Sequence, residues 1–284
     1  MTNSAASPSS LSASTDFEYV RALVRRCAGI VIESGKEYLV EARLLPLARR
    51  EGLDSIARLV AKLRAEPAGP LHSSVVEAMT INETLFFRDV HPFEALRAGV
   101  LPALRTGRAT SRHLRIWSGA CSTGQEPYSI AMLLREHAGQ LAGWRIDLLA
   151  TDLSHEVLGR ARRGTYGQVE VNRGLPAPFL VKYFDRSGAH WQIKEEISGM
   201  VDFRELNLAA TWPALAPFDV VFLRNVLIYF DVDTKKSILG RVRRILRPDG
   251  YLFLGAAETT MNLDDGFERV QIGNSGCYRL KPAP

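Results

Sequence analysis

The chain has 284 residues, 46% of them apolar and 24% charged, and a formal net charge of +5. That is the composition of a globular protein with one large domain or two modest ones, and no apolar run approaches the roughly 20 residues that cross a bilayer. Three cysteines (Cys27, Cys121, Cys277) without paired spacing argue against a disulfide framework or a zinc site and suit a reducing cytoplasm; the N-terminus lacks the charged-then-apolar order of an export signal.

Residues 1–15 are mostly Ser, Ala, Thr and Pro and read as a disordered tail. Residues 16–81 read as a small helical domain. Asp16 is expected to cap a first helix through Arg26, with Phe17, Val20, Val24 and Cys27 on its inner side. Glu37 to Arg50 is a second helix that buries Leu39, Leu44 and Leu47. Asp54 caps a third, with Ile56, Leu59 and Leu63 on one face, and His72 to Ile81 is a fourth. Residues 82–113 read as a linker.

From residue 114 strands and helices alternate: strands at 114–119, 145–151, 201–205, 217–223 and 250–256, helices at 126–138, 155–163 and 232–246. Such alternation implies an α/β fold, a doubly wound, mostly parallel sheet covered on both faces. Arg247-Pro-Asp-Gly250 is a turn before the last of these strands, and residues 261–280 are expected to add an antiparallel pair at one edge. Between about 164 and 200 the pattern breaks. Trp191-Gln-Ile-Lys and Glu196-Ile-Ser, beside Ser187-Gly188, read as an inserted β-hairpin subdomain near the cleft.

Ile116 to Ile130 carries the strongest signal. A buried strand runs into a glycine loop (Gly119, Gly124) and a helix with Pro127 in its first turn, capped by Ser122 or Thr123. Strand-loop-helix units of this kind present free amides at the mouth of a parallel sheet. A second strand ends at Asp152, where a carboxylate can accept both ribose hydroxyls of an adenosine ligand, while Ser154 caps the following helix. A third ends at Arg224-Asn225. The loop has neither the three-glycine dinucleotide fingerprint nor a phosphate-binding Lys-Ser/Thr. Adenosine without a polyphosphate therefore fits better than NAD or ATP, and S-adenosylmethionine is the candidate cofactor.

The chain resembles the CheR-type chemotaxis receptor methyltransferases from about residue 17 to 281. The resemblance rests on Asn82-Glu-Thr-Leu-Phe-Phe-Arg88, Trp117-Ser-Gly-Ala-Cys-Ser-Thr-Gly-Gln-Glu-Pro-Tyr128, Ala150-Thr-Asp-Leu153, Asn207-Leu208 and Arg224-Asn-Val-Leu-Ile-Tyr-Phe230, in that order. It implies a Rossmann-like class I methyltransferase fold and transfer of a methyl group from S-adenosylmethionine to glutamate carboxylates of transmembrane chemoreceptors, leaving S-adenosylhomocysteine. By motif, Asn82, Thr84 and Arg88 hold the cofactor's amino-acid end. Gln125 stands where the family usually has Glu, with Glu126 beside it. Asp152 takes the ribose, Asn207 and Leu208 the adenine, and Arg224 and Asn225 end the strand beneath the methyl group.

Arg88, Arg224 or one of the five arginines between Arg97 and Arg115 is the candidate orienter of the acceptor carboxylate, and Tyr229 the hydroxyl lining its pocket. The helix bearing Arg43, Arg49 and Arg50, basic in the family too, is the candidate surface for acidic receptor helices. No nucleic-acid motif, metal cluster or membrane-inserting segment is seen, and a monomer is expected. Two alternatives remain, a methyltransferase of another acceptor and a non-catalytic binder of S-adenosylmethionine or its product.

Overall fold

The computed structural model describes residues 9–282, with side chains from Thr15 onward. The first eight residues of the expected tail lie outside the described residues. The rest of that tail is helical, because α1 runs Ser9–Ala28 and begins ahead of the expected Asp16 cap. The chain divides into two units: residues up to Ile81 together with Tyr229–Asp231, and Asn82–Ile228 together with Val232–Pro284.

The first unit is helical. After α1 come α2 (Glu37–Arg50), α3 (Ile56–Ala65) and α4 (Pro70–Ala78). Both α1 and α2 pack against α3 and α4. Phe17, Val20, Leu23 and Val24 of α1 meet Leu59, Val60 and Leu63 of α3 in the core, and α2 buries Val40, Leu44 and Leu47. Three local expectations are corrected. Cys27 is exposed, and Leu23 takes the inner position one turn earlier. Leu39 is only half-buried, since Val40 faces inward. Ser55, not Asp54, caps α3, because its extended backbone (φ −151°) aims the hydroxyl at the Arg58 amide.

The second unit is Rossmann-like. Its strands are β1 (His113–Gly119), β2 (Arg145–Asp152), β3 (Thr165–Gly167), β4 (Phe184–Ser187), β5 (His190–Ile193), β6 (Val201–Glu205), β7 (Phe218–Leu223), β8 (Leu246–Leu254), β9 (Phe267–Ile272) and β10 (Ser275–Leu280). Seven of them form one sheet in the order β6-β2-β1-β7-β8-β10-β9, parallel from β6 to β8 and antiparallel beyond. The chain winds outward from β1 to β6 and returns to β7 on the other side of β1. The switch point, where ligands enter such sheets, therefore lies between β1 and β7. β7 is buried along its whole length, as a central parallel strand must be.

The segment expected as a linker is part of this unit's core. It forms α5 (His91–Ala95), a π-helical turn (Leu96–Val100) and α6 (Leu101–Gly107). Phe86, Phe87, Phe93, Leu96, Val100, Leu101 and Leu104 all join the core cluster. The layers are completed by α7 (Gln125–Glu136) and α8 (His155–Arg163). The insertion is a three-stranded sheet, β3-β5-β4, accompanied by α9 (Gln168–Asn172), α10 (Ala177–Tyr183) and α11 (Glu195–Ser198). Its hairpin is β4–β5, turning at Gly188-Ala189, while Glu196-Ile-Ser is helical in α11 rather than strand. The last helix is α12 (Val232–Ile245). Arg247-Pro-Asp-Gly250 does not precede β8 but interrupts it, as a register shift opposite Phe218–Val220.

Candidate active site at the strand tips

The loop between β1 and α7 is built from left-handed backbone: Ala120 (φ +56°), Ser122 (φ +51°) and Gly124 (φ +95°). Gly124 is the N-cap of α7, so neither Ser122 nor Thr123 caps it. Their hydroxyls are directed elsewhere. Ser122 Oγ donates to the Asn82 carbonyl at 2.7 Å, and Thr123 Oγ1 donates to Gln125 Oε1 at 2.8 Å. The Cys121 amide donates to the Thr151 carbonyl, which ties this loop to the end of β2.

Asp152 stands at that end, 7% exposed. The Ser122 amide donates to its Oδ2 at 2.8 Å and the Ser154 amide to its Oδ1 at 3.0 Å. Ser154 caps α8 through the Val157 amide, as its position in the sequence implies. The Leu206 amide donates to the Asp152 carbonyl, which places Asn207 and Leu208 next to the same strand tip. Leu208 is buried; its carbonyl accepts from Trp212 Nε1 and from the Arg241 guanidinium. Asn207 Oδ1 accepts the Ala209 amide.

Arg224, at the end of β7, has a side chain only 1% exposed. It donates to Glu126 Oε2 at 3.0 Å, to Asp89 Oδ2 at 2.6 Å and to the Arg88 carbonyl at 2.9 Å. Ser118 Oγ donates to the other Glu126 oxygen at 2.8 Å. Burial pushes the Glu126 carboxyl up, and Arg224 and Ser118 oppose the rise without cancelling it. Arg224 therefore holds the first turn of α7 and the 88–89 backbone, and is not a loose orienter of an acceptor. Among the arginines from 97 to 115, Arg108 is committed to Asp219 and Asp249, and Arg105 to Gln140. Arg88 is half-buried, donates to the Glu83 carbonyl at 3.2 Å, and has no ion pair among the described residues.

Gln125 is 3% exposed, and its carbonyl accepts from Ser129 Oγ, which in turn accepts the Phe87 amide. These bonds join the helix start to the Asn82–Arg88 segment, in which Thr84 is half-buried. After β7, Asn225 is left-handed (φ +58°), and its amide donates to Glu258. Asn82, Thr84, Arg88, Gln125, Glu126, Asp152, Asn207, Leu208, Arg224 and Asn225 thus all belong to the sheet unit. Bonds among these segments link the tips of β1, β2 and β7.

The other expected site residues belong to the helical unit. Tyr229 groups with the helical unit, where its carbonyl accepts the Val31 amide. Arg43 donates to the Met79 and Thr80 carbonyls at 2.9 Å, sealing the end of α4. Its guanidinium is committed inside the helical unit, which corrects its assignment to a docking surface. Arg49 and Arg50 are exposed.

The sequence reading missed Asp89, Ser118, Ser129 and Glu258. A cavity of about 730 Å³ lined by Asp89, Arg224, Gly255, Glu258, Asp265 and Arg269 adjoins the β7 and β8 tips; Asp152 and Asn207 do not line it. Its Glu258 is separated from the β7 tip by a helix and a strand, so only the three-residue gap from Gly255 hinted at it. No cluster of metal-ligating side chains and no helix able to cross a membrane occurs among the described residues.

Residues 82–275 match the family model described as CheR methyltransferase, SAM binding domain, and residues 15–80 match CheR methyltransferase, all-alpha domain. The chain is 44% identical to chemotaxis protein methyltransferase 1 of Pseudomonas aeruginosa, over 95% of this chain and 99% of the relative. It is 43% identical to chemotaxis protein methyltransferase Cher2 of Pseudomonas putida, over 94% and 98%. To the chemotaxis protein methyltransferase of Escherichia coli it is 36% identical, over 88% and 86%.

Proposed function

The chain belongs to the CheR methyltransferase family, and from that premise we propose that it methylates glutamate carboxylates on the cytoplasmic helices of chemoreceptors, forming γ-glutamyl methyl esters. Its cofactor is S-adenosylmethionine, which when bound supplies a methyl group activated on a sulfonium. The donor set suits that cofactor. Asp152 places a carboxylate, the group that accepts ribose hydroxyls, at the β2 tip, Leu208 offers an apolar wall, and the loop after β1 lacks the groups that hold a polyphosphate.

In this reading Asp152 binds the ribose and Asn207 and Leu208 flank the adenine. Asn82, Thr84, Arg88 and Gln125 hold the amino-acid end, and Glu126 with Arg224 fixes the helix start beneath it. Asn225 ends β7 beside the reacting carbon. A glutamate acceptor, with a reference pKa of about 4.3, is ionised at neutral pH and needs no strong base. The protein's task is alignment and exclusion of water, and positioning alone lowers such barriers by up to roughly 7–11 kcal/mol. Arg88 orients the acceptor carboxylate in this scheme. Arg49 and Arg50 attract the acidic receptor helix.

The observation that carries the reading is the Asp152 carboxylate, buried at the β2 tip and fixed by two backbone amides. Its test is transfer of radiolabelled methyl from S-adenosylmethionine to a receptor cytoplasmic fragment, followed by mild alkali. Label released as methanol supports a carboxyl ester. Label stable to alkali points to another acceptor atom, and cofactor binding with no transfer to any acidic helix supports a non-catalytic regulator.

A further inference from the structure

Five backbone amides converge on one buried carboxylate. Glu258, 9% exposed, accepts from Asn225 (2.7 Å) and Gly255 (2.7 Å) on Oε2, and from Val226 (2.8 Å), Leu227 (2.6 Å) and Ile228 (3.4 Å) on Oε1. Successive amides pointing into one concavity form an anion-binding nest, and here the anion is a side chain of the same chain. The left-handed Asn225 begins the turn that makes the concavity, a conformation that Asn tolerates better than most residues. Gly255 completes the junction. A Cβ there would lie 2.7 Å from both Asn225 Nδ2 and Glu258 Oε2, so the end of β8 must be bare where both side chains pass over it.

We propose that Glu258 is a positioning residue for methyl transfer: by filling the amide nest of residues 225–228 it fixes the Asn225 side chain at the tip of β7, and so the cofactor that Asn225 contacts. This rests on the reading of Asn225 as a cofactor contact. Glu258 acts only through the loop. A carboxylate is suited to this task because both oxygens must accept. In a carboxamide of the same shape one oxygen becomes an NH2 group, which turns donors against either two or three of the amides.

The test is a double-mutant cycle of Glu258→Gln and Asn225→Ala in the full chain, with S-adenosylhomocysteine affinity by titration calorimetry and thermal midpoint as the two readouts. Glu258→Gln should weaken binding about tenfold in the wild-type background and less than about twofold when Asn225 is already Ala. Its lowering of the thermal midpoint should be the same in both backgrounds, which separates positioning from mere stability. Should Glu258→Gln not fold, Glu258→Asp keeps the charge on a shorter arm and must show the same dependence on Asn225. Equal losses in both backgrounds, or no loss in either while Asn225→Ala alone is costly, overturn the proposal. If Asn225→Ala alone binds like wild type, the assignment of Asn225 to the cofactor fails, and the role of Glu258 with it.

Discussion

The strand tips of the sheet unit and the outer face of α2 use charge in opposite ways. At the tips, Arg224, Glu126, Asp152 and Glu258 are buried, and they bond to backbone amides and carbonyls, to one another, and to the side chains of Asp89 and Ser118. On α2, Arg49 and Arg50 are exposed, with no ion pair among the described residues. Buried, satisfied charges cost desolvation and return a fixed geometry, which is what a site for one small cofactor requires. Exposed charges add little to stability, but they steer an oppositely charged macromolecule and weaken as salt rises. Even within α2 the contrast holds, since Arg43 is drawn into the structure by two carbonyls and burial pulls its pKa down.

Arg224→Ala tests the first half of this comparison most severely. It strands Glu126 and Asp89, and unfolding by urea should report a loss of about 3–5 kcal/mol. A loss below about 1 kcal/mol would mean that the tip is not organised around that guanidinium. Gln125→Glu sharpens the picture. With position 125 at the cofactor's amino-acid end as proposed, a carboxylate there keeps the bond from Thr123 and adds a charge toward the ammonium, so S-adenosylhomocysteine should bind about tenfold tighter. Unchanged affinity would remove position 125 from the amino-acid end.

The second half of the comparison predicts milder effects. Arg49→Glu with Arg50→Glu should slow methylation of a receptor fragment by about three- to fivefold at low salt, with the gap closing at high salt and cofactor affinity unmoved. The same deficit at both salt concentrations would exclude steering. The smallest effect belongs to a pair near the start of β7, at the opposite end of that strand from Arg224. The Arg108 guanidinium holds the Asp249 carboxyl below its ordinary 3.8. Because that pKa is depressed on folding, its stabilisation is complete above 3.8 and is lost as pH falls through the depressed value. Asp249→Asn should therefore cost up to about 1 kcal/mol at neutral pH and nothing once the wild-type carboxyl is protonated.

Local signals were easy to read. The bounds of α2, the Ser154 cap and the three apolar strands that end at Gly119, Asp152 and Leu223 all follow from neighbouring residues. What escaped depends on distant ones. Residues 82–113 read as a linker because four arginines from Arg97 to Arg112 interrupt the apolar pattern, whereas Leu96, Val100, Leu101 and Leu104 mark the inner face. The hydroxyls of Ser122 and Thr123 look like caps until the left-handed Gly124 takes that position. The position of Arg224 after β7 was legible but its partners were not, since nothing near it in sequence names Glu126 and Asp89. Glu258 was invisible for the same reason. A carboxylate that satisfies amides about 30 residues away leaves no periodic trace.

If the tips of β1, β2 and β7 form the cofactor site, equilibrium dialysis of S-adenosylhomocysteine against wild type and folded Asp152→Ala will show it. With ribose hydroxyls bound to the carboxylate, the variant should bind about 10- to 100-fold more weakly. Equal affinity for the two proteins would contradict the account.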